Sequence, residues 1–211
     1  MVEATASAVL SDQDLSALRR SPAAHLADRF AAAEVTGPRA VAVREVPFRT
    51  MIGIRVVPGT ASAEQLETAL GALLPRSCGE VTAGRTGSVL WLSPDEFLAV
   101  SEADHSELTR SLTGALAGEP GSVTDLSANR TTFELTGPSA RAVLEKGCPI
   151  DLHPRTFAVD TAYATAIGSV PVILWKTGDE SYAILPRSSF ADFLGRWLVD
   201  AMAEFAASEL P

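Results

Sequence analysis

"RTTFELTGPSARAVLEKGCPIDLHP", residues 130–154, changes its hydrophobic period partway along. Thr131, Phe133 and Leu135 fall on one side of an extended chain, with Thr132 and Glu134 on the other, which is the pattern of a strand with one face in a core. After Gly137-Pro138 the spacing becomes helical: Ala140, Val143 and Leu144 form an apolar stripe, Pro138 suits a helix start, and Gly147 stands where a left-handed terminus is expected. A strand that runs directly into a short helix with a matching apolar face is the unit of a sheet covered by helices. The stretch ends on Cys148, Asp151 and His153, three side chains that could serve a nucleophile or a metal site.

Outward from this stretch the same order occurs twice. Downstream, "AYATAIGSVPVILWKT" and "ESYAILP" form strands around a Gly178-Asp179 turn. "SSFADFLGRWLVDAMAEF" is then an amphipathic helix whose stripe is Phe190, Phe193, Leu194, Trp197, Leu198 and Ala201. Upstream, "FRTMIGIRVV" reads as a strand. "SAEQLETALGALL" reads as a helix opened by a Ser62/Gln65 capping pair, with Leu66, Ala69, Leu70, Leu73 and Leu74 on one face. "SVLWLSPDEFLAVS" is a hairpin about Ser93-Pro94-Asp95-Glu96, and a helix with Leu108, Leu112 and Leu116 follows. The fold class is therefore α+β: two tandem β-α-β-β-α halves, about 38–119 and 120–205, joined at the short Gly118, Pro120, Gly121, Ser122 segment and packed as one domain over 38–211. Residues 1–37 form an N-terminal helical arm. It has a capping pair at Ser11/Asp14, a Ser21-Pro22 start, and only Leu15, Leu18, Leu26 and Phe30 as apolar anchors. So thin a stripe is expected to lie against something else, such as another chain.

The chain has 211 residues, 46% of them hydrophobic, enough for a substantial core. Its net charge of −9 argues against a phosphate-backbone partner, so no nucleic acid is expected. No apolar run is long enough to span a bilayer, and "MVEATASAVLSDQD" lacks the basic start and apolar stretch of a secretion signal, which gives a cytoplasmic expectation without a membrane partner. The two cysteines, Cys78 and Cys148, imply no disulfide framework.

Each candidate for chemistry has a plainer account. Cys148 follows a helix C-terminus, the end of the macrodipole that does not favour a nucleophilic thiolate. Asp151 and His153 lack further ligands nearby, the other histidines being His25 and His105, both expected at the surface or an interface. Asp95-Glu96 and Asp179-Glu180 belong to hairpin turns. "GRTGS" at Gly84–Ser88 is a loop with no dinucleotide or P-loop spacing, and Ser188-Ser189 is a helix cap with no nucleophile elbow. Trp91, Trp175 and Trp197 read as core anchors. No catalytic, cofactor-binding or metal-ligating residue is expected on this chain.

"RSPAAHL" near the start, "LWLSPDEFLAV", "NRTTFELTGPSARAVLEKGCPIDLHPRTF" and "RSSFADFLGRWL" together resemble the gamma subunits of bacterial heterotetrameric sarcosine oxidases, over about Arg20 to Leu198. The strand followed by "TGPSARAVL" and "DLHPRTF" also resembles the folate-binding fold of glycine-cleavage aminomethyltransferases. The first resemblance implies an enzyme complex that oxidatively demethylates sarcosine to glycine with O2, releases H2O2 and passes a one-carbon unit to tetrahydrofolate. It implies alpha, beta and delta chains as partners, chiefly alpha, with FAD, FMN, NAD and zinc held on those other chains. The second resemblance implies the fold, and an alternative: a stand-alone folate-binding or aminomethyltransferase-like protein. Those enzymes place acidic residues after a glycine-rich hairpin turn, where this chain has Gly168-Ser169-Val170-Pro171-Val172, so no folate residue is carried over.

Overall fold

The computed structural model describes residues 18–206; the Ser11/Asp14 pair lies outside them. A 3-10 turn (Ala24–Leu26) runs into α1 (Ala27–Ala33). The first half then contributes β1 (Ala42–Val46), β2 (Thr50–Arg55), α2 (Ala61–Leu70), β3 (Val81–Gly84), β4 (Gly87–Ser93), β5 (Glu96–Ser101) and α3 (His105–Leu116). The second contributes β6 (Ser122–Asp125), β7 (Thr132–Thr136), α4 (Ala140–Glu145), β8 (Thr161–Ile167), β9 (Val170–Gly178), β10 (Ser181–Pro186) and α5 (Ala191–Ala206). The sequence had shown none of β1, β3 and β6 as separate strands.

All strands pair antiparallel in two five-stranded sheets, ordered β1-β7-β10-β9-β8 and β6-β2-β5-β4-β3. Position by position the two orders correspond, so the repeat seen in the sequence is a repeat of topology. The first strand of each half crosses to the sheet of the other: β1 pairs with β7, and β6 with β2. The boundary expected near residue 119 is thus a turn in the chain, while the hydrogen-bonded sheets interlock across it.

Strand alternation produces three apolar layers. Ile52, Ile54, Phe97 and Ala99 face α2 and α3. Val43, Phe133, Leu135, Leu174, Tyr182 and Ile184 face α4 and α5. Between the sheets lie Met51, Leu90, Leu98 and Val100 against Ala162, Ile173, Ala183 and Leu185. Central strands are therefore buried on both faces, which is why "FLAV" and "AIL" are unbroken apolar runs.

Local details differ from the sequence expectation for identifiable reasons. Helix α2 is capped by Thr60, whose Oγ1 accepts from the Ala63 amide at 3.4 Å, instead of by Ser62/Gln65. It closes at Gly71 with φ +65°, so Leu73 leaves the stripe and is 65% exposed. Gly147 is not left-handed: α4 ends in right-handed geometry at Lys146, and a Cβ on Gly147 would lie 2.6 Å from Trp197 Cζ2, so close packing explains the glycine. The buried face of α5 is Ala191, Leu194, Gly195, Leu198, Ala201, Met202 and Phe205. Phe193 points outward, and Phe190 sits in a preceding 3-10 turn (Ser188–Phe190) whose periodicity does not continue that of the helix.

The arm also departs from expectation. Ala23, Leu26 and Phe30 are buried in this chain's own second-half core, with Phe30 edge-on to Phe133 at a ring separation of 5.7 Å. Glu45 fixes the entry by accepting from the Ser21 hydroxyl, the Ala23 amide (3.1 Å) and Thr131 Oγ1 (2.6 Å). Few apolar residues suffice because Leu26 and Phe30 are fully buried, although Leu18 is left exposed, and because Gly195 lets the arm approach α5. A Cβ at Gly195 would lie 2.6 Å from Leu26 Cδ1 and 3.0 Å from Phe30 Cζ. Gly195→Leu is expected to displace the arm and cost about 1–3 kcal/mol. Denaturant titration and amide exchange over residues 23–33 would show it, and unchanged exchange there would contradict the docking.

Candidate functional site

The Cys148–His153 segment lies between α4 and β8, and local hydrogen bonds engage Asp151 and one ring nitrogen of His153. Asp151 accepts from the His153 amide at 2.9 Å and from the Thr156 hydroxyl at 3.0 Å. Those bonds, the backbone one first, hold its carboxyl below the usual range. The Arg155 amide donates to His153 Nδ1 at 3.2 Å. The segment is anchored by Phe157, stacked against Tyr163 and Tyr182 at 5.7 and 6.2 Å, while Lys176 Nζ donates to the Phe157 carbonyl at 3.2 Å. Cys148 points away into the apolar layer under α5. The three residues are not brought into one constellation, and among the described residues no group of three or more His, Cys, Asp or Glu could hold a metal ion.

The other two histidines each acquire a carboxylate partner that sequence spacing did not reveal. His25 Nε2 lies 2.7 Å from Asp192 Oδ1, which also receives the Arg196 guanidinium; the Arg196 hydrogen bond first, then that of His25, brings Asp192 to about 2. His105 Nδ1 lies 2.8 Å from Asp125 Oδ2. Burial works against ionisation of Asp125, but the Ser127 hydroxyl and amide, followed by His105, hold its pKa below the ordinary value. An imidazole oriented by a carboxylate can serve as a general base when a nucleophile lies beside it. The nearby hydroxyl of Ser106 instead donates to Asp104, the cap of α3, at 2.6 Å. Both pairs act as clips, joining the arm to α5 and α3 to β6.

The remaining candidates fall into place as structure. Gly84 meets Ala72 and the Gly71 backbone, and Gly87 meets the Val100 carbonyl, so both glycines answer to close packing. Ser188 caps no helix: its hydroxyl donates to the Ala128 carbonyl at 2.9 Å. Asp95 lies in the β4–β5 turn and Glu96 opens β5, pairing with Arg55 at 2.9 Å. Asp179 and Glu180 form the β9–β10 turn. Trp91, Trp175 and Trp197 are half-buried edges of the apolar layers.

Two small hollows lie beside the crossings between the sheets. One, of about 170 Å³, opens between the sheets beside Arg49, Thr132, Glu134, Trp175 and Thr177. Thr132 Oγ1 and Trp175 Nε1 are buried there with no hydrogen-bond partner among the described residues. Its volume is below the ~300–1,000 Å³ of pockets that enclose drug-sized ligands. Arg49 is paired with Glu102 at 2.9 Å, and Glu134 with Arg44. The second hollow, of about 190 Å³, is lined by Arg19, Arg20, Phe48 and Arg130 beside hydroxyl groups. Arginine can hold a carboxylate or phosphate through paired N–H donors.

Comparison with known proteins places the chain in a family. Residues 56–204 match the sequence model described as "Sarcosine oxidase, gamma subunit family". The chain is 52% identical over 198 residues to a sarcosine oxidase subunit gamma of Corynebacterium sp. (strain U-96), covering 93% of this chain and 96% of that one. It is 51% identical over 191 residues to the corresponding subunit of Arthrobacter sp., covering 90% and 93%. Among solved structures it superposes with TM-score 0.88 and 52% identity on a chain of heterotetrameric sarcosine oxidase from Corynebacterium sp. U-96 in complex with pyrrole 2-carboxylate, over 92% of this chain and all of that one. The glycine cleavage system aminomethyltransferase T of Bartonella henselae shares the fold, at TM-score 0.56 and 17% identity over 75% of this chain and 45% of the enzyme.

Proposed function

Since the chain belongs to the sarcosine oxidase gamma subunit family, we propose that it is the non-catalytic structural subunit of a heterotetrameric sarcosine oxidase. The assembled enzyme oxidises the N-methyl group of sarcosine with O2, giving glycine and H2O2 and a one-carbon unit for tetrahydrofolate. FAD, FMN, NAD, the folate site and zinc belong to the alpha, beta and delta chains, and this chain contributes no reacting group. It works in the cytoplasm; among the described residues no helix is long and apolar enough to cross a membrane. Residues 38–211 act as one body of two interlocked halves, with residues 1–37 as its arm.

The observation that carries this is the 0.88 superposition, at 52% identity, on a whole chain of the heterotetramer. The Cys148–His153 segment supports the non-catalytic role, because Cys148 is buried in the apolar layer while Asp151 and His153 are taken up by local turn hydrogen bonds, so no nucleophile and base meet there. Co-expression of the full-length chain with the three other chains is expected to yield one stoichiometric complex that consumes O2 on addition of sarcosine. Leaving this chain out should lower the yield of complex. A freely eluting monomer whose presence changes neither assembly nor O2 uptake would refute the proposal. Titration of the chain alone with tetrahydrofolate is expected to show no saturable binding; saturable binding would instead support a folate-binding protein that shares only the fold.

A further inference from the structure

The chain passes between its sheets twice, from β1 to β2 through Pro47-Phe48-Arg49 and from β6 to β7 through residues 126–131. The second crossover starts against β2, just after the first ends: the Leu126 amide donates to the Met51 carbonyl at 2.8 Å, and the Met51 amide to Ser127 Oγ at 3.1 Å. Over them lies the arginine-lined hollow, with Arg19 and Arg20 from the arm, Phe48 from the first crossover and Arg130 from the second.

Phe48 has φ +60°, in a turn position after proline where glycine or asparagine is preferred, because a β-carbon raises the energy of that conformation. The ring repays no core with this strain: it is 47% exposed, with the Arg19 guanidinium 4.4 Å from its centroid. A strained residue retained at the surface points to use at the surface. The charges nearby are also unbalanced. Six other arginines, among them Arg44 and Arg49, have carboxylate partners, while Arg29, Arg85, Arg110 and Arg155 have none among the described residues; what marks the hollow is that its arginines are gathered in one place. Arg19, Arg20, Arg130 and the adjacent Arg187 have none among the described residues, in a chain of net charge −9. Arg130 Nη1 donates to the Leu185 carbonyl at 2.9 Å, and burial, then the Arg187 charge, lowers its pKa. The carboxylate behind the hollow, Glu45, is already engaged by Ser21, Ala23 and Thr131.

We propose that this hollow receives an acidic segment of a partner chain of the oxidase, one carboxylate entering among Arg19, Arg20 and Arg130 while an apolar neighbour covers Phe48. This rests on the chain being an oxidase subunit. Arginine beside an aromatic ring is the composition of interface hot spots, and docking here would clamp both crossovers and thus both sheets.

The test uses the full-length chain titrated with a complex of the other three chains. Wild type is expected to bind with an affinity that falls as salt is raised. Arg19→Glu/Arg20→Glu, at exposed positions, should bind about 100-fold more weakly, with an unchanged circular dichroism spectrum. Phe48→Gly should bind about tenfold more weakly, while the chain by itself keeps its Tm or gains up to about 3 °C from lost strain. If wild type fails to assemble, the subunit role falls and this surface with it. If wild type assembles and both variants match it, only the surface is overturned. Saturable binding of inorganic phosphate at these arginines with unchanged assembly would overturn it as well, in favour of a small-anion site.

Discussion

Phe133→Ala is expected to lower the unfolding free energy by about 3–5 kcal/mol. Phe133 is fully buried on β7, the strand that joins β1 to β10, so it lies where the exchanged strand meets the second-half sheet. Its ring receives Phe30 of the arm edge-to-face, at 84° between planes. Truncation would leave a cavity that the interlocked strands cannot close by moving, since β7 is held on both edges by hydrogen-bonded ladders. Domains have only ~5–15 kcal/mol of net stability, so this variant should be close to unfolding at ordinary temperature. Denaturant titration at constant m-value would measure the loss, and Phe133→Leu should cost markedly less. A loss below about 1 kcal/mol would mean that the arm and α5 collapse into the gap, contrary to a rigidly interlocked core.

The same position shows what the sequence revealed. The alternation at Thr131–Leu135 identified β7 and its helix-facing side because apolar Phe133 and Leu135 alternate with Thr132 and Glu134, although Thr132 is buried on the other face as well. Helices α2, α3 and α5 were legible from leucine spacing, although Phe190 and Phe193 were assigned to the wrong face. The strand exchange was not legible. Hydrophobic pattern fixes which face of a strand is buried, yet carries no information about which sheet it joins. β1, "AVREV", was missed because it is an edge strand whose Arg44 and Glu45 interrupt the apolar pattern.

Among candidate site residues, the structural role of Asp151 and His153 could be read locally, since their partners lie within five residues. The His25–Asp192 pair spans 167 positions, and no spacing rule reaches that far. The arginine hollow was hidden for the same reason, its residues coming from the arm and from a crossover more than a hundred positions later. One signal was available: Pro47 followed by phenylalanine, where a turn with proline second favours glycine third.

Gly87→Val tests the close packing that accounts for the glycines of "GRTGS". Gly87 has φ +140°, and its Cβ would lie 2.2 Å from the Val100 carbonyl oxygen and 3.0 Å from Ser101 Cα. Those atoms are backbone of β5, whose Val100 pairs with Ser88, so relief would require opening the β4–β5 ladder. Ser101 Oγ also donates to the Thr86 carbonyl, and Thr86 Oγ1 to the Leu70 carbonyl at 3.0 Å, tying the hairpin tip to both β5 and the end of α2. Crowding costs about 1–3 kcal/mol and an unfavourable φ about 1–2, so a loss of roughly 3 kcal/mol or more is expected. Gly59→Val is the control: its φ is +81°, but nothing lies within 4 Å of its Cβ, and only the conformational cost of about 1–2 kcal/mol should appear. The difference between the two variants reports the contact with β5 together with the less accessible backbone region of Gly87. Equal losses would mean that the ladder yields at little cost, and crowding would then no longer account for glycine at the tip.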